Sequence, residues 1–203
     1  MKNIINIAVV GLGQVGIYLL NELNNKKKDI ELKTGKKIEV VAVSAKNINK
    51  KRQFKVDKKI FFKNPLEIFD KKKIDILFEA IGQSDGMSKK IVETALKKKI
   101  HVITPNKALI SKHGNDLAKI AELNNVNLEF EASVAGGIPI LRTIKEGLVT
   151  NKILKVYGIL NGTSNYILSE MENSNKNFSD VLKKAQKLGY AEPGNPKLDL
   201  NGF

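Results

Sequence analysis

Three glycines constrain this chain more than any other feature. An apolar run over residues 5–10 ends directly in Gly11-Leu12-Gly13-Gln14-Val15-Gly16, and Val15, Tyr18, Leu19, Leu20 and Leu23 follow at helical spacing. A G-x-G-x-x-G turn between a strand and a helix has a mechanical meaning. The first glycine permits the tight turn, the second lets backbone approach a pyrophosphate, and the third lets the helix pack closely on the strand. The helix N-terminus then favours phosphate charge. The bare pattern is weak, but here strand, glycines and helix agree. Gly11, Leu12, Gly13, Gln14, Val15 and Gly16 are therefore candidate cofactor contacts, and a purely structural glycine turn is the plainer alternative.

The rest of the first half continues the alternation. A lysine-rich polar stretch at 24–37 interrupts before the β-branched run 38–43, and 74–81 reads as a buried strand. A helix pattern over 88–98 leads to a strand at 100–103, then a helix over about 114–124 and a strand at 126–130. Strands alternating with helices predict a Rossmann-type, doubly wound parallel sheet. Near Ala132 the texture changes: Gly136-Gly137 and Pro139 precede a helix pattern at 140–148, a strand-like run at 153–160, a turn-like 161–165 and a helix from about Tyr166. Residues 1–132 are expected to form the nucleotide-binding domain, and 133–203 an incomplete α+β catalytic and dimerisation domain.

The cofactor's identity turns on the end of the second strand. A carboxylate there would hold the ribose 2′-hydroxyl of NAD. This chain offers Ser44-Ala45-Lys46, with Lys50, Lys51 and Arg52 nearby, which suits the 2′-phosphate of NADP better and leaves NAD open. The formal charge of +14 first suggests a polyanion partner, yet only two of the 35 basic residues are arginine, Arg52 and Arg142. Nucleic-acid interfaces lean on arginine, and aromatic residues for stacking are only 6% here, so no nucleic-acid partner is expected. No apolar run approaches the roughly 20 residues that span a bilayer. With no signal-peptide pattern at Met1, a cytoplasmic protein without a membrane partner is expected. The chain has no cysteine, which excludes disulfides, thiolate metal sites and cysteine nucleophiles. His101 and His113 are its only histidines and lack acids at ligand spacing, so both read as structural.

The second half is more specific. Thr104-Pro105-Asn106-Lys107-Ala108-Leu109 is followed by Phe130-Glu131-Ala132-Ser133-Val134-Ala135-Gly136-Gly137-Ile138-Pro139. Next come Gly158-Ile159-Leu160-Asn161-Gly162-Thr163-Ser164-Asn165-Tyr166-Ile167 and Leu188-Gly189-Tyr190-Ala191-Glu192-Pro193. In this order behind a nucleotide turn, these segments closely resemble the homoserine dehydrogenase family, from about Ile5 to the last residue. The resemblance implies reversible hydride exchange between NAD(P)H and aspartate semialdehyde, giving L-homoserine for threonine and methionine biosynthesis. It implies Lys107 as the motif lysine beside the nicotinamide and the reacting oxygen, Glu192 as the substrate-binding glutamate, and Gly162, Thr163 and Tyr190 as pocket residues. Asp199 matches an acid near the substrate, although the spacing after Pro193 is one residue longer here. Ile81 and Gly82, where the 74–81 run ends, are counted with the cofactor contacts. Glu131 with the carbonyls of Val134, Gly136 and Ile138 resembles a monovalent-cation site, usually sodium; a hinge without an ion explains the same glycines. Members are usually homodimers.

In the family the stretch at 199–203 leads into a helix bearing an aspartate and the lysine regarded as the proton-transfer residue. The chain is accordingly expected to be truncated, to bind dinucleotide, and to turn over homoserine poorly or not at all alone. Phosphorylating semialdehyde dehydrogenases act on the same aldehyde, but their cysteine nucleophile has no counterpart here. Another nicotinamide oxidoreductase, or a dinucleotide-binding but catalytically incompetent paralogue, remains the alternative.

Overall fold

Strand β1 (Ile4–Val10) sets the layering, because successive side chains point to opposite faces. Ile7 and Val9 enter one apolar cluster, Ala8 and Val10 another, and all four are buried. A computed structural model describes residues 3–47, 50, 56–158 and 161–191, and the chain divides into two compact units, Met1–Thr143 and Ile144–Phe203.

In the first unit, α1 (Gln14–Asn25) and α2 (Lys27–Thr34) lead to β2 (Lys37–Ser44), which pairs parallel with β1, Val10 beside Ser44. β3 (Phe61–Phe62) extends that side, and α3 (Ile68–Lys71) follows. The chain then crosses to the opposite side of β1, where β4 (Ile76–Glu79) pairs with it. α4 (Met87–Lys97), β5 (His101–Ile103), α5 (Lys107–Leu123) and β6 (Leu128–Glu129) complete a six-stranded parallel sheet ordered β3-β2-β1-β4-β5-β6. This is the doubly wound sheet expected from the alternation, with its order reversing at β1. Ile17 and Leu20 of α1 pack with Ile7, Val9 and Val43. On the other face Ile91, Val92, Ala95 and Leu96 of α4 and Leu109, Leu117 and Ala121 of α5 pack with Ala8, Leu77 and Val102. Each large apolar side chain so buried contributes roughly 1.5–3 kcal/mol. The unit ends with α6 (Glu131–Val134) and α7 (Ile140–Arg142).

Several local expectations change. The stretch at 24–37 does not interrupt the structure; most of it is α2, which buries no residue. Lysine, glutamate and leucine are good helix formers, Lys26 pairs with Glu22 at 2.6 Å, and Gly35 ends the helix at φ 65. Helix α5 starts at Lys107, seven residues before the expected start, because the Asn106 side chain accepts the Leu109 N–H at 3.1 Å and caps it. The pattern at 140–148 yields only the three residues of α7, followed by a π-helical turn, Thr143–Gly147.

In the second unit, residues 153–158 of the strand-like run 153–160 form no strand, and 159–160 lie outside the described residues. A strand needs a ladder partner, and none pairs with this segment among the described residues. The turn-like residues at 161–165 instead open α8 (Gly162–Ser174), with Asn161 as its cap, since capping and turn residues share a composition. α9 (Phe178–Leu188) ends at Gly189, φ 82. Ile167, Val181, Ala185 and Ala191 form the small core between the two helices.

Candidate functional site

The glycine turn is held from both sides. Gly11 adopts φ 99, and a Cβ there would lie 2.3 Å from the Ala80 carbonyl oxygen. Its N–H donates to the Ser44 carbonyl at 2.9 Å, so the turn is pinned between the ends of β2 and β4. A Cβ at Gly16 would come 2.0 Å from the Gly11 oxygen, which is the close helix approach that the third glycine permits. A Cβ at Gly13 would meet no protein atom within 4 Å. Gly13 is also the N-cap of α1, whose first turn carries no acidic residue and so keeps the positive end of its dipole unopposed.

A cavity of about 560 Å³ opens at this point, within the range of small-ligand sites. Val10, Gly11, Leu12 and Gly13 form its floor; Ser44, Ala45, Lys46, Asn47, Lys50, Lys63 and Pro65 line one end; Ala80, Ile81, Gln83 and Met87 line the other. These are the carboxyl ends of β1, β2 and β4, where the strand order reverses and doubly wound sheets bind ligands. Of the residues named from sequence, Gly11, Leu12, Gly13, Ser44, Ala45, Lys46, Lys50 and Ile81 line it together. Gln14, Val15 and Gly16 run on into α1, and Gly82 follows Ile81 in a left-handed turn, φ 87. Lys51 and Arg52 lie outside the described residues. Lys63 lines the same end, and nothing in the local sequence distinguishes it from the other lysines.

Behind the β4 end lies a polar cluster. Glu79 is fully buried. The Ile81 N–H donates to its Oε1 at 2.8 Å and the Thr104 hydroxyl to its Oε2 at 2.6 Å. The Asn106 amide nitrogen lies 3.4 Å from both oxygens and donates to the Gln83 carbonyl at 2.8 Å. Thr104 Oγ1 accepts the Asn106 N–H at 3.1 Å. The signal was available: a carboxylate closing the apolar run Ile76-Leu77-Phe78 is out of place unless donors meet it. Lys107 does not line the cavity; it is the exposed first residue of α5, one position beyond Asn106. Nearby, Asp85 accepts from Lys112 Nζ at 2.7 Å and Ser84 Oγ at 2.7 Å, and lies 2.9 Å from His113 Nε2. The Lys112 ammonium first, then the Ser84 and His113 contacts, hold its carboxyl well below the usual carboxylate range. His101 Nδ1 accepts the Asn127 N–H at 3.0 Å, a structural bond between neighbouring strands' ends.

At the bend after β6, the Glu131 carboxylate accepts the N–H groups of Leu141 and Arg142, both at 2.9 Å. Each oxygen keeps a further acceptor site, and the Ile138 carbonyl accepts the Ile140 N–H at 2.8 Å; Glu131 and the carbonyls of Val134, Gly136 and Ile138 are oxygen donors of the type a hard cation takes. Among the described residues no three His, Cys, Asp or Glu side chains gather to hold a metal. In the second unit Thr163 Oγ1 donates to the Tyr190 carbonyl at 2.6 Å, and the Tyr190 ring stacks on Tyr166 at 4.5 Å. Gly162 opens α8 beside them, whereas Glu192 and Asp199 lie outside the described residues. No helix among the described residues is long and apolar enough to cross a membrane.

Comparison with known proteins adds to this geometry. Residues 11–131 match the family model described as the NAD binding domain of homoserine dehydrogenase, and residues 139–203 match the model described as homoserine dehydrogenase. The homoserine dehydrogenase of Neisseria gonorrhoeae is 40% identical over 198 residues, covering 98% of this chain and 45% of the relative. That of Bacillus subtilis is 36% identical, covering 98% and 46%. The crystal structure of a homoserine dehydrogenase from Thiobacillus denitrificans superposes with a TM-score of 0.87 at 39% identity, covering 98% of this chain and 46% of that one. The chain thus spans about half the length of these relatives.

Proposed function

From the premise that the chain belongs to the homoserine dehydrogenase family, we propose that its cavity binds a nicotinamide dinucleotide for the reversible interconversion of aspartate semialdehyde and L-homoserine. One observation carries this reading: the glycine turn, the α1 N-terminus and the three strand ends meet in one cavity of suitable size. The bound dinucleotide supplies the hydride. The chain's own groups do the rest. Backbone at Gly11–Gly13 and the dipole of α1 receive the pyrophosphate, residues at the β2 end receive one ribose, and Ile81 and Gly82 border the other half. Lys107 is assigned to the reacting oxygen, where an ammonium favours the alkoxide that forms on reduction. Thr163, Tyr190, Gly162, Glu192 and Asp199 are assigned to the amino-acid substrate, a carboxylate among them to meet its ammonium.

Within this reading NADP is preferred to NAD. Lys46, Lys50 and Lys63 line the β2 end, and no acid is among the described lining residues. Titration of the chain with NADPH and NADH, followed by nicotinamide fluorescence, tests both statements. NADPH is expected to bind about tenfold more tightly, the value of one charge-assisted contact. No binding of either would sink the proposal. Calorimetric titration with L-homoserine, expected to show binding that 4-hydroxybutyrate (which lacks the amino group) does not, tests the substrate half, since turnover by the chain alone is expected to be poor or absent. The sodium site at Glu131 is a further part of the proposal. Sodium chloride should raise the melting temperature above that in choline chloride at equal ionic strength.

A further inference from the structure

A carboxylate is a poor choice for holding a core together. Glu79 stands beside Val10 in the parallel register of β4 and β1, and Val10 is an equally buried apolar residue. An apolar side chain at Glu79 would pack at least as well without the cost of burying charge. What a carboxylate adds is orientation, because an ionised one is acceptor-only and can meet several donors at once. Glu79 meets donors from two loops. Ile81, at 2.8 Å, belongs to the turn that lines the cavity beyond β4. Thr104, at 2.6 Å, and Asn106 belong to the turn that starts α5. Asn106 closes the circuit by donating to Gln83, another lining residue, while its own oxygen caps the helix that begins with Lys107.

We propose that Glu79 is a positioning residue for the nicotinamide half of the site: it fixes the Ile81–Gln83 turn and the Lys107 end of α5 in one geometry. This rests on the dinucleotide reading above. In doubly wound sheets the 2′-hydroxyl of the adenosine ribose is read at the end of β2, so the other nucleotide lies toward β4 and β5. Glu79 therefore acts on one half of the ligand only.

That asymmetry supplies the test. NADPH and 2′-phospho-ADP-ribose, which lacks the nicotinamide, are titrated against the 203-residue chain and its Glu79→Gln variant by calorimetry. Glutamine keeps the shape but turns an NH₂ toward the donors. The expected result is NADPH binding weakened about tenfold, as for a lost hydrogen bond to a charged group, with 2′-phospho-ADP-ribose held within about twofold. Equal weakening of both ligands marks a merely structural role and overturns the proposal, as does an unchanged NADPH affinity. Should Glu79→Gln fail to fold, Thr104→Val is expected to show the same selective loss and Thr104→Ser to restore binding. Wild-type chain that binds neither ligand removes the dinucleotide reading together with this one. Wild-type binding with no selective loss removes this one alone.

Discussion

Gly13 and Gly16 sit three residues apart in one turn, yet their replacement is expected to fail in different ways. An alanine at Gly16 would place its Cβ 2.0 Å from the Gly11 carbonyl oxygen, a backbone atom that cannot swing aside. Gly16→Ala should therefore lower stability by roughly 1–3 kcal/mol in urea denaturation, as overpacking does. An alanine at Gly13 meets no protein atom, and its φ of −77 suits any residue. Gly13→Ala should melt like the wild type and still lose dinucleotide affinity, because its methyl group occupies space that the pyrophosphate needs. A melting curve and an NADPH titration on each variant check the pair. The glycine pattern was legible from spacing alone, since each glycine answers a local demand of the turn. Glu79 is legible only as an acid out of place at the end of an apolar run; its partners are not, because two of them lie 25 and 27 positions further along the chain.

At the level of elements, the loop after β4 is tied to α5 by Asp85, whose folded carboxyl is held below its ordinary range by Lys112, Ser84 and His113. A carboxyl lowered on folding contributes stability above its unfolded value and loses it as pH falls through the folded one. Asp85→Asn should melt below the wild type at neutral pH, and the two curves should converge in strong acid. The cap at Asn106 makes a second comparison possible. Asn177 caps α9 through Asp180 N–H alone in the described contacts, whereas Asn106 also bridges Glu79 and Gln83. Asn177→Ala should cost about 1 kcal/mol in chemical denaturation, and Asn106→Ala distinctly more. Elements with an apolar stripe, such as α4, were readable from periodicity. Helix α2 was not, since it buries no residue and so leaves no stripe to read.

At the scale of the whole molecule, exposed apolar residues gather in one stretch of the second unit: Val149, Leu154, Val156 and Tyr157 are each more than two-thirds exposed. Exposed apolar side chains close together in the chain favour association. Sedimentation at rising concentration is expected to show self-association, and Leu154→Lys with Tyr157→Lys to reduce it. A homodimer, as the family resemblance implies, is one form that this would take.

The alternation of strands and helices that implies a parallel sheet, the glycine turn and the family motifs could be read directly from residue order, because each is a local pattern of neighbours. The cavity's lining, the part taken by Lys63 and the buried circuit through Glu79, Thr104 and Asn106 required the folded chain. Parallel strands bring their carboxyl ends together only after long crossovers, so groups that meet there are distant in sequence and leave no common pattern.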